Sequence, residues 1–195
     1  MSYFREQLEK WLATLKINAD VLIDIGGGAK PVLPRLGSRD VCKYVIMDNC
    51  VEPENLEGIQ KHDFVEFDIN YDLLSQRINP KNYQADVIFC LEVFEYVFDP
   101  LQAMHNIADM LKDSGVAYIS FPFVYPMHEP IEYDYLRYTS RGVQKLAESA
   151  GLRRLKITTR IDRSGKLTEF YRADGMHPSK KYPTNETGYL VEARK

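Results

Sequence analysis

Short runs of apolar residues recur along the chain, and each ends in a polar residue, a proline or a glycine turn. Near-continuous apolar runs of this kind are typical of strands that are buried on both faces of a sheet. Later in the chain, one alternating run and one final apolar run predict two more strands. The seven predicted strands are residues 20–25, 44–47, 64–67, 86–91, 116–121, 155–161 and 189–193.

Between these runs, apolar residues recur at the spacing of one face of a helix. Residues that can cap a helix precede these segments, and glycine follows two of them. The N-terminal stripe is expected to pack on the domain, although it could instead flank a ligand cleft. The predicted helices are residues 4–15 with Ser2 as cap, residues 101–111 between Asp99-Pro100 and Gly115, and a segment from Thr139 or Ser140 to Gly151.

The alternation of strands and helices predicts an α/β fold. We expect a Rossmann-like, doubly wound sheet of seven mostly parallel strands, with helices on both faces and an antiparallel C-terminal strand. A single domain is expected to span residues 1–195. Its predicted parts are an N-terminal helix at 1–18, a ligand-binding core at 19–152, and C-terminal strands at 153–195 with a loop excursion at 163–184.

The composition is ordinary for a globular protein, since 45% of the 195 residues are hydrophobic and 27% are charged. A formal net charge of −3 disfavours general binding to nucleic acid by phosphate neutralisation. No apolar run approaches the roughly 18 residues that span a membrane, and the charged N-terminus is unlike a secretory signal. The three cysteines, Cys42, Cys50 and Cys90, lack Cys-x-x-Cys spacing, which disfavours disulfides and zinc and predicts a cytoplasmic protein.

Acidic residues follow three of the predicted strands. Ligands of open α/β sheets bind beyond the carboxyl ends of the strands, where Asp48, Asp68 and Glu92 are expected to lie. Asp48 comes 22 residues after Gly26, close to the spacing at which an acid meets ribose hydroxyls. Asp68, with the backbone of Ile69, suits an adenine ring. Each acid taken singly could be only a turn residue or a helix cap.

The glycine turn after the first strand helps to distinguish two kinds of ligand. A dinucleotide pyrophosphate favours Gly-x-Gly-x-x-Gly at the start of a helix. Here residues 26–31 read Gly-Gly-Gly-Ala-Lys-Pro, so Pro31 stands at the last glycine position. The turn therefore favours a cofactor without phosphates.

These segments resemble, in order, the motifs of class I S-adenosylmethionine-dependent methyltransferases of the small-molecule or sugar type, similar to methyltransferase type 11. The resemblance covers roughly residues 19–152 and rests on residues 21–28, 44–48, 67–69 and 90–100. Two positions depart from the family pattern. Lys30 stands where a third glycine is usual, and Tyr96 replaces the histidine of Glu-His-Val.

The resemblance implies S-adenosyl-L-methionine as the cofactor. It implies that residues at the ends of the strands surround the parts of this molecule, and an acidic edge suits its positive charge. The implied contacts are Asp24 near the ammonium, Gly26 to Gly28 near the carboxylate, Asp48 and Asn49 at the ribose, Asp68 and Ile69 at the adenine, and Leu91 and Glu92 beside the methionine arm.

Residues 121–139, after the fifth predicted strand, are expected to overhang the cofactor. The segment is rich in histidine, acids, tyrosine and arginine, and it is similar to a segment of small-molecule and sugar-directed methyltransferases. His128 is predicted to be the general base, because histidine titrates near neutral pH, with Glu129 or Asp134 orienting it. The predicted acceptor-binding residues are Tyr133, Asp134, Arg137 and Tyr138. The alternative is a loop held by structural hydrogen bonds.

The remaining polar clusters are interpreted more simply. No metal site is expected, and His62, His105 and His177 are interpreted as structural or surface residues. The basic residues of 153–160, which are Arg153, Arg154, Lys156 and Arg160, are interpreted as a solvated strand edge. An anionic acceptor could contact the basic segment formed by Lys180, Lys181 and Tyr182.

The sequence therefore predicts methyl transfer to a small-molecule or sugar-like acceptor, at oxygen. No membrane partner is expected, nucleic acid is not expected as a partner, and a homodimer is possible. Two alternatives stay open. A nucleotide-dependent oxidoreductase is disfavoured by Pro31 and by the lack of a Tyr-x-x-x-Lys pair. A non-catalytic, cofactor-binding partner subunit is kept open by Lys30 and Tyr96.

Overall fold

The computed structural model describes residues 3–49, 62–176 and 184–195. Within this part of the chain, seven strands form one sheet in the order β3-β2-β1-β4-β5-β7-β6. Strands β1 to β5 are parallel, whereas β7 runs antiparallel to β5 and β6. The strands are β1 (Lys16–Ile25), β2 (Ser38–Asp48), β3 (His62–Glu66), β4 (Ala85–Cys90), β5 (Leu111–Pro122), β6 (Arg153–Ile161) and β7 (Glu186–Arg194).

Helices cover both faces of this sheet. Successive residues of a strand point to opposite faces, so Leu22 of β1 packs in one apolar layer and Ile23 in the other. The first layer includes helix α1 (Tyr3–Thr14), and the second includes α2 (Pro100–Met110) and α3 (Ser140–Ser149). The predicted Rossmann-like fold is therefore confirmed.

The connection from β1 to β2 is short. Between the two strands the chain forms only one turn of 3-10 helix, Leu33–Arg35, with a proline in its first positions. Val32 and Leu36 on either side of this turn join the apolar layer that contains α1. The helix before β1 thus covers this face, and no α-helix begins at the glycine turn.

The predicted end of the second helix is wrong. Helix α2 stops at Met110, and Leu111 already pairs with Ala85 as the first residue of β5. The ammonium of Lys195 donates to the carbonyls of Ala108 (2.7 Å) and Leu111 (2.9 Å). A side chain from the last residue thus binds carbonyls at the end of the helix, and Gly115 lies inside the strand instead of closing the helix.

The predicted loop excursion at 163–184 is also wrong in part, because it contains helix α4 (Lys166–Ala173). Gly165 precedes the helix in a left-handed conformation, with φ +79°. The Asp162 carboxylate accepts hydrogen bonds from the backbone N–H groups of Ser164 (2.8 Å) and Leu167 (2.9 Å), which fixes the entry to the helix. His177 and residues 180–182 lie outside the described residues.

Other predicted helix boundaries agree with the structure. The side chains of Asp99 and Thr139 accept hydrogen bonds from Gln102 N and Gly142 N, as caps of α2 and α3. The boundary placed between residues 18 and 19 falls inside β1, which starts at Lys16. The predicted cap Ser2 lies outside the described residues. None of the helices in the described residues is long and apolar enough to cross a membrane.

Candidate active site

Four acidic residues lie at the carboxyl edge of the sheet, on or just after neighbouring parallel strands. Asp24 and Asp48 belong to β1 and β2, whereas Asp68 and Glu92 each follow a strand by two residues. Because β3, β2, β1 and β4 are adjacent in the sheet, their carboxyl ends share one edge. The strand order thus brings together the residues that the sequence pattern singled out.

The glycine turn after β1 approaches its neighbours too closely for side chains. Gly26 has φ +77°, and a Cβ atom there would lie 2.2 Å from Cγ2 of Val93. A Cβ atom at Gly27 would lie 2.4 Å from Oδ2 of Asp24. The N–H of Gly28 donates to Oδ2 of Asp48 (2.8 Å) and so ties the turn to the end of β2. Glycine is needed at the first two positions.

Asp24 is buried and holds the other side of this turn. Its Oδ2 accepts hydrogen bonds from the N–H of Val32 (2.7 Å) and from the hydroxyl of Tyr44 (2.5 Å). Burial raises the pKa of Asp24 to about 6, although both hydrogen bonds oppose this shift. The structure therefore places Asp24 beneath the turn, where it fixes the backbone that follows Gly28.

A turn after β3 places Asp68 and Ile69. Oδ1 of Asp68 accepts hydrogen bonds from the backbone N–H and side-chain amide of Asn70, both at 3.0 Å. The side chain of Gln76 binds both the N–H (2.8 Å) and the carbonyl (2.9 Å) of Asp68. Ile69 is buried, and its carbonyl accepts a hydrogen bond from Asn106 of α2 (3.0 Å). Asn49, directly after β2, is exposed.

Glu92 forms an ion pair that the sequence pattern did not reveal. The Arg160 guanidinium donates to both carboxylate oxygens of Glu92, at 2.7 and 3.3 Å. The hydroxyl of Ser120 donates to the same carboxylate (2.7 Å) and accepts from the N–H of Glu92 (2.7 Å). Burial opposes ionisation, but Arg160 and these hydrogen bonds lower the pKa of Glu92. Neighbouring Leu91 is buried.

The interpretation of Arg160 as part of a solvated strand edge is wrong, because the residue is only 1% exposed. Its guanidinium lies 3.0 Å from the centre of the Phe4 ring and donates to the Phe4 carbonyl (2.9 Å). The Phe4 ring in turn stacks on Tyr125, with ring centres 4.1 Å apart. Arg160 thus joins β6, the start of α1 and the carboxyl edge.

The loop of residues 123–139 is held by Arg137. Its guanidinium binds both carboxylate oxygens of Asp134 and donates to the carbonyls of Tyr125 (3.2 Å) and Pro126 (3.0 Å). The Asp134 carboxylate also accepts a hydrogen bond from the backbone N–H of His128 (2.6 Å). Burial opposes ionisation of Asp134, but Arg137 outweighs it and lowers the pKa of that carboxyl. Two of the predicted acceptor-binding residues therefore shape the loop.

The other predicted residues of this loop differ in exposure. Glu129 and Tyr133 are exposed to solvent. Tyr138 is buried, and its hydroxyl donates to the carbonyl of Phe94 (2.9 Å). The loop also contacts the turn after β4, because the N–H of Tyr135 donates to the carbonyl of Glu95 (2.8 Å).

His128 is exposed, and its ring meets a tyrosine from that turn. Nδ1 of His128 contacts the hydroxyl of Tyr96, and it lies 3.0 Å from the backbone carbonyl of Glu129. The Tyr96 hydroxyl also lies 2.6 Å from that carbonyl. The imidazole is thus oriented by a hydroxyl and a backbone carbonyl, and it forms no hydrogen bond with the carboxylate of Glu129 or Asp134.

Glu95 is a further acidic residue to which the sequence pattern assigned no role. Only 6% of it is exposed, and its Oε2 atom has no hydrogen-bond partner within the described residues. Burial, reinforced by the charges of Glu92 and Asp134, raises the pKa of Glu95 to about 8. Two signals were available: its spacing of three residues from Glu92, and its place in residues 95–97, which resemble Glu-His-Val.

The remaining polar groups lie away from this edge. Arg153 and Arg154 are exposed at the start of β6, at the opposite end of the sheet, and both line two surface cavities of about 400 and 630 Å³. His62 begins β3, and His105 lies within α2. Across the described ranges, no three histidine, cysteine or acidic residues are grouped closely enough to hold a metal ion.

Sequence and fold comparisons agree on one class of protein. A family model described as a methyltransferase domain matches residues 2–156 of this chain. The chain belongs to the methyltransferase domain family. This membership confirms the predicted class, a class I S-adenosylmethionine-dependent methyltransferase, and the cofactor expected for that class. No curated protein matches the chain in sequence.

Solved structures with the same fold are distant in sequence. One is a methyltransferase of Haloferax volcanii in complex with its Trm112 activator, with a TM-score of 0.62, 17% identity, and coverage of 98% of this chain and 88% of that one. Another is phosphoethanolamine N-methyltransferase 2 of Haemonchus contortus with S-adenosyl-L-methionine. Its TM-score is 0.63 at 14% identity, and the match covers 97% of this chain and 51% of that one. A third is the CurJ carbon methyltransferase, with a TM-score of 0.63, 12% identity, and coverage of 99% of this chain and 54% of that one. This chain spans about half the length of the latter two.

Proposed function

We propose that this protein transfers a methyl group from S-adenosylmethionine to a hydroxyl of a small-molecule or sugar-like acceptor. The observation that carries the proposal is the placement of His128 on a loop that leaves the same edge of the sheet as the four acidic residues. A base is needed there because a neutral hydroxyl must lose its proton to become an effective nucleophile.

The turn and the strand ends fit the cofactor. Without side chains at Gly26 and Gly27, the turn packs closely against Val93 and Asp24 and keeps its backbone at the carboxyl edge of the sheet. We assign Asp48 and Asn49 to the ribose, Asp68 and Ile69 to the adenine, and Leu91 and Glu92 to the methionine arm. Gly26 and Gly28 would border the amino acid end, with Asp24 supporting them from below. The absence of a helix at this turn disfavours a pyrophosphate, which is usually bound at a helix N-terminus.

When bound, S-adenosylmethionine supplies an electrophilic methyl group, which bonds to the acceptor oxygen as its bond to sulfur breaks and the electron pair stays on sulfur. His128 accepts the hydroxyl proton and leaves the reaction as an imidazolium. Arg137 and Asp134 hold the loop at a fixed position, which aligns the acceptor for in-line attack. Glu129 and Tyr133 present side chains to the acceptor, and Tyr138 anchors the end of the loop.

Binding of the cofactor is tested first. Thermal unfolding and calorimetry with S-adenosylmethionine, S-adenosylhomocysteine and NAD should show stabilisation by the two sulfur compounds alone. Asp48→Asn should weaken their affinity by about tenfold or more, because a charged hydrogen-bond acceptor is lost. Asp40→Asn, an exposed position earlier in the same strand, is the matched control. Stabilisation by NAD alone would instead support an oxidoreductase.

The type of acceptor is tested second. With a panel of alcohols, sugars and amines as acceptors, His128→Asn should lower kcat for the accepted hydroxyl compound by about 100-fold or more. Cofactor affinity should stay unchanged. Turnover of amines alone, with no effect of the substitution, would exclude oxygen transfer by His128. Tight cofactor binding without any turnover would favour a non-catalytic partner subunit.

A further inference from the structure

The contacts of the His128 ring determine which of its nitrogens can act as a base. Three polar atoms meet at one point: Nδ1 of His128, the hydroxyl of Tyr96 and the carbonyl oxygen of Glu129. A carbonyl oxygen can only accept, and a tyrosine hydroxyl has a single hydrogen to donate. The three atoms therefore allow few arrangements of hydrogen atoms.

One arrangement satisfies all three atoms. The Tyr96 hydroxyl donates to the Glu129 carbonyl, 2.6 Å away, and Nδ1–H of His128 donates to the two oxygens. In the opposite arrangement the tyrosine donates to Nδ1. The Glu129 carbonyl would then face the tyrosine oxygen and Nδ1 with no hydrogen atom in either gap, and lone pairs would repel at 2.6 and 3.0 Å.

We propose that Tyr96, together with the Glu129 carbonyl, holds His128 in the Nδ1–H tautomer and leaves Nε2 as the basic atom, which makes Tyr96 a positioning residue. This inference rests on the proposed role of His128 in catalysis. Free histidine has no such fixed assignment, and the hydrogen bond made by one ring nitrogen sets the state of the other. The hydroxyl that replaces the family's histidine at position 96 is thus a part of the site.

The surroundings of Tyr96 keep its hydroxyl in the form that this arrangement needs. Burial, together with the negative charge of Glu95, raises the pKa of Tyr96 above its ordinary value. The hydroxyl therefore stays protonated and retains the hydrogen that it donates to the carbonyl. The backbone N–H of His128 donates to the Asp134 carboxylate, which Arg137 binds in turn. The backbone that carries the ring is therefore fixed as well.

The tautomer can be measured without any enzyme assay. Nitrogen-15 NMR of the histidine rings, recorded above pH 8 and assigned with His128→Asn, should show Nδ1–H for His128 in the unaltered protein. Tyr96→Phe leaves the Glu129 carbonyl as the one remaining oxygen of the two that accept from Nδ1–H, so the Nε2–H form should appear beside the Nδ1–H form and broaden the signal. Tyr135→Phe, in the same loop, removes a hydroxyl without a hydrogen bond in the described residues and should change nothing.

Kinetics provides the second measurement. Tyr96→Phe should lower kcat by about tenfold or more while KM for both substrates changes less than twofold, and it should cause no further loss in a His128→Asn background. An Nε2–H tautomer in the unaltered protein, or an unchanged spectrum and kcat in Tyr96→Phe, would overturn the proposal. If the unaltered protein shows the Nδ1–H tautomer but His128→Asn keeps full activity, the result would instead reject His128 as the base.

Discussion

Arg160 and Arg137 each bind a carboxylate at the candidate active site with two guanidinium nitrogens, but their surroundings differ. Arg160 is buried, reaches Glu92 from 68 residues away, and rests against the Phe4 ring. Arg137 is about one quarter exposed, binds Asp134 three residues away, and donates to carbonyls of its own loop. The first pair joins distant parts of the fold, whereas the second fixes one loop.

This difference separates stability from catalysis. A buried charge that loses its partner is expensive, because water cannot replace the lost interaction. A partly exposed pair contributes less to stability, since water competes for both ions. We therefore expect substitutions at Arg160 to act mainly on folding and substitutions at Arg137 mainly on the geometry of the loop that carries His128.

The largest effect is expected for Arg160→Met. It should lower the free energy of unfolding by about 3 kcal/mol, because Glu92 would remain charged beside the sheet without its cation. Urea denaturation followed by circular dichroism measures this loss. Adding Glu92→Gln should recover more than half of it, and Arg194→Met, which breaks the more exposed pair with Glu192, serves as the control. If Arg160→Met and Arg194→Met lower the free energy of unfolding equally, the buried pair contributes no more to stability than the exposed one, and the expected difference is wrong.

A smaller effect concerns Glu95, whose charge interacts with Glu92 and Asp134. Its pKa of about 8 in the folded protein exceeds the ordinary value of 4.5. The folded state therefore binds the extra proton, and stability is lost as the pH rises through this interval. Between pH 6.5 and 8 the loss should be on the order of 2 kcal/mol, since one pKa unit is worth about 1.4 kcal/mol.

Glu95→Gln should remove this slope and make the protein more stable than the unaltered chain above pH 8. Denaturation curves at several pH values are the measurement, and starting at pH 6.5 avoids most of the titration of Asp24 near pH 6. Glu129→Gln, at an exposed carboxylate in the neighbouring loop, provides the comparison. If Glu95→Gln keeps the slope of the unaltered protein, the buried acid is not its source.

The smallest effect on stability is expected for Arg137→Lys. A lysine keeps the charge but cannot bind both oxygens of Asp134 and two carbonyls at once. The free energy of unfolding should fall by less than about 1 kcal/mol, whereas kcat should fall by about tenfold because His128 is less well aligned. Denaturation and steady-state kinetics on the same sample provide both values. A large loss of stability with normal kcat would reverse the assignment.

The fold could be predicted because its signals are local. Apolar runs identified the strands, and the caps Asp99 and Thr139 identified two helix starts, since each signal depends on residues close in sequence. The shared edge of Asp24, Asp48, Asp68 and Glu92 followed from strand direction. Local signals also failed: Leu111 fits a helical stripe but pairs with Ala85 as a strand residue.

The contacts across the site could not be predicted. Arg160 lies in a strand with alternating burial among other basic residues, so nothing near it in sequence indicates its pairing with Glu92. The contact of Tyr96 with His128 joins residues 32 positions apart. Such pairs depend on how two loops meet above the sheet, which hydrophobic patterns do not encode. The roles assigned to individual site residues, the single domain and the homodimer stay predictions.

The glycine turn after β1 is fastened at three places: Gly26 N to the Met47 carbonyl (2.8 Å), Gly28 N to Asp48, and Val32 N to Asp24. Its shape is thus set before any ligand arrives. Association then requires little loss of backbone freedom in this segment, so the affinity gained from each contact is retained. A receptor that is preorganised in this way should capture its ligand by simple one-step kinetics, without a slow rearrangement.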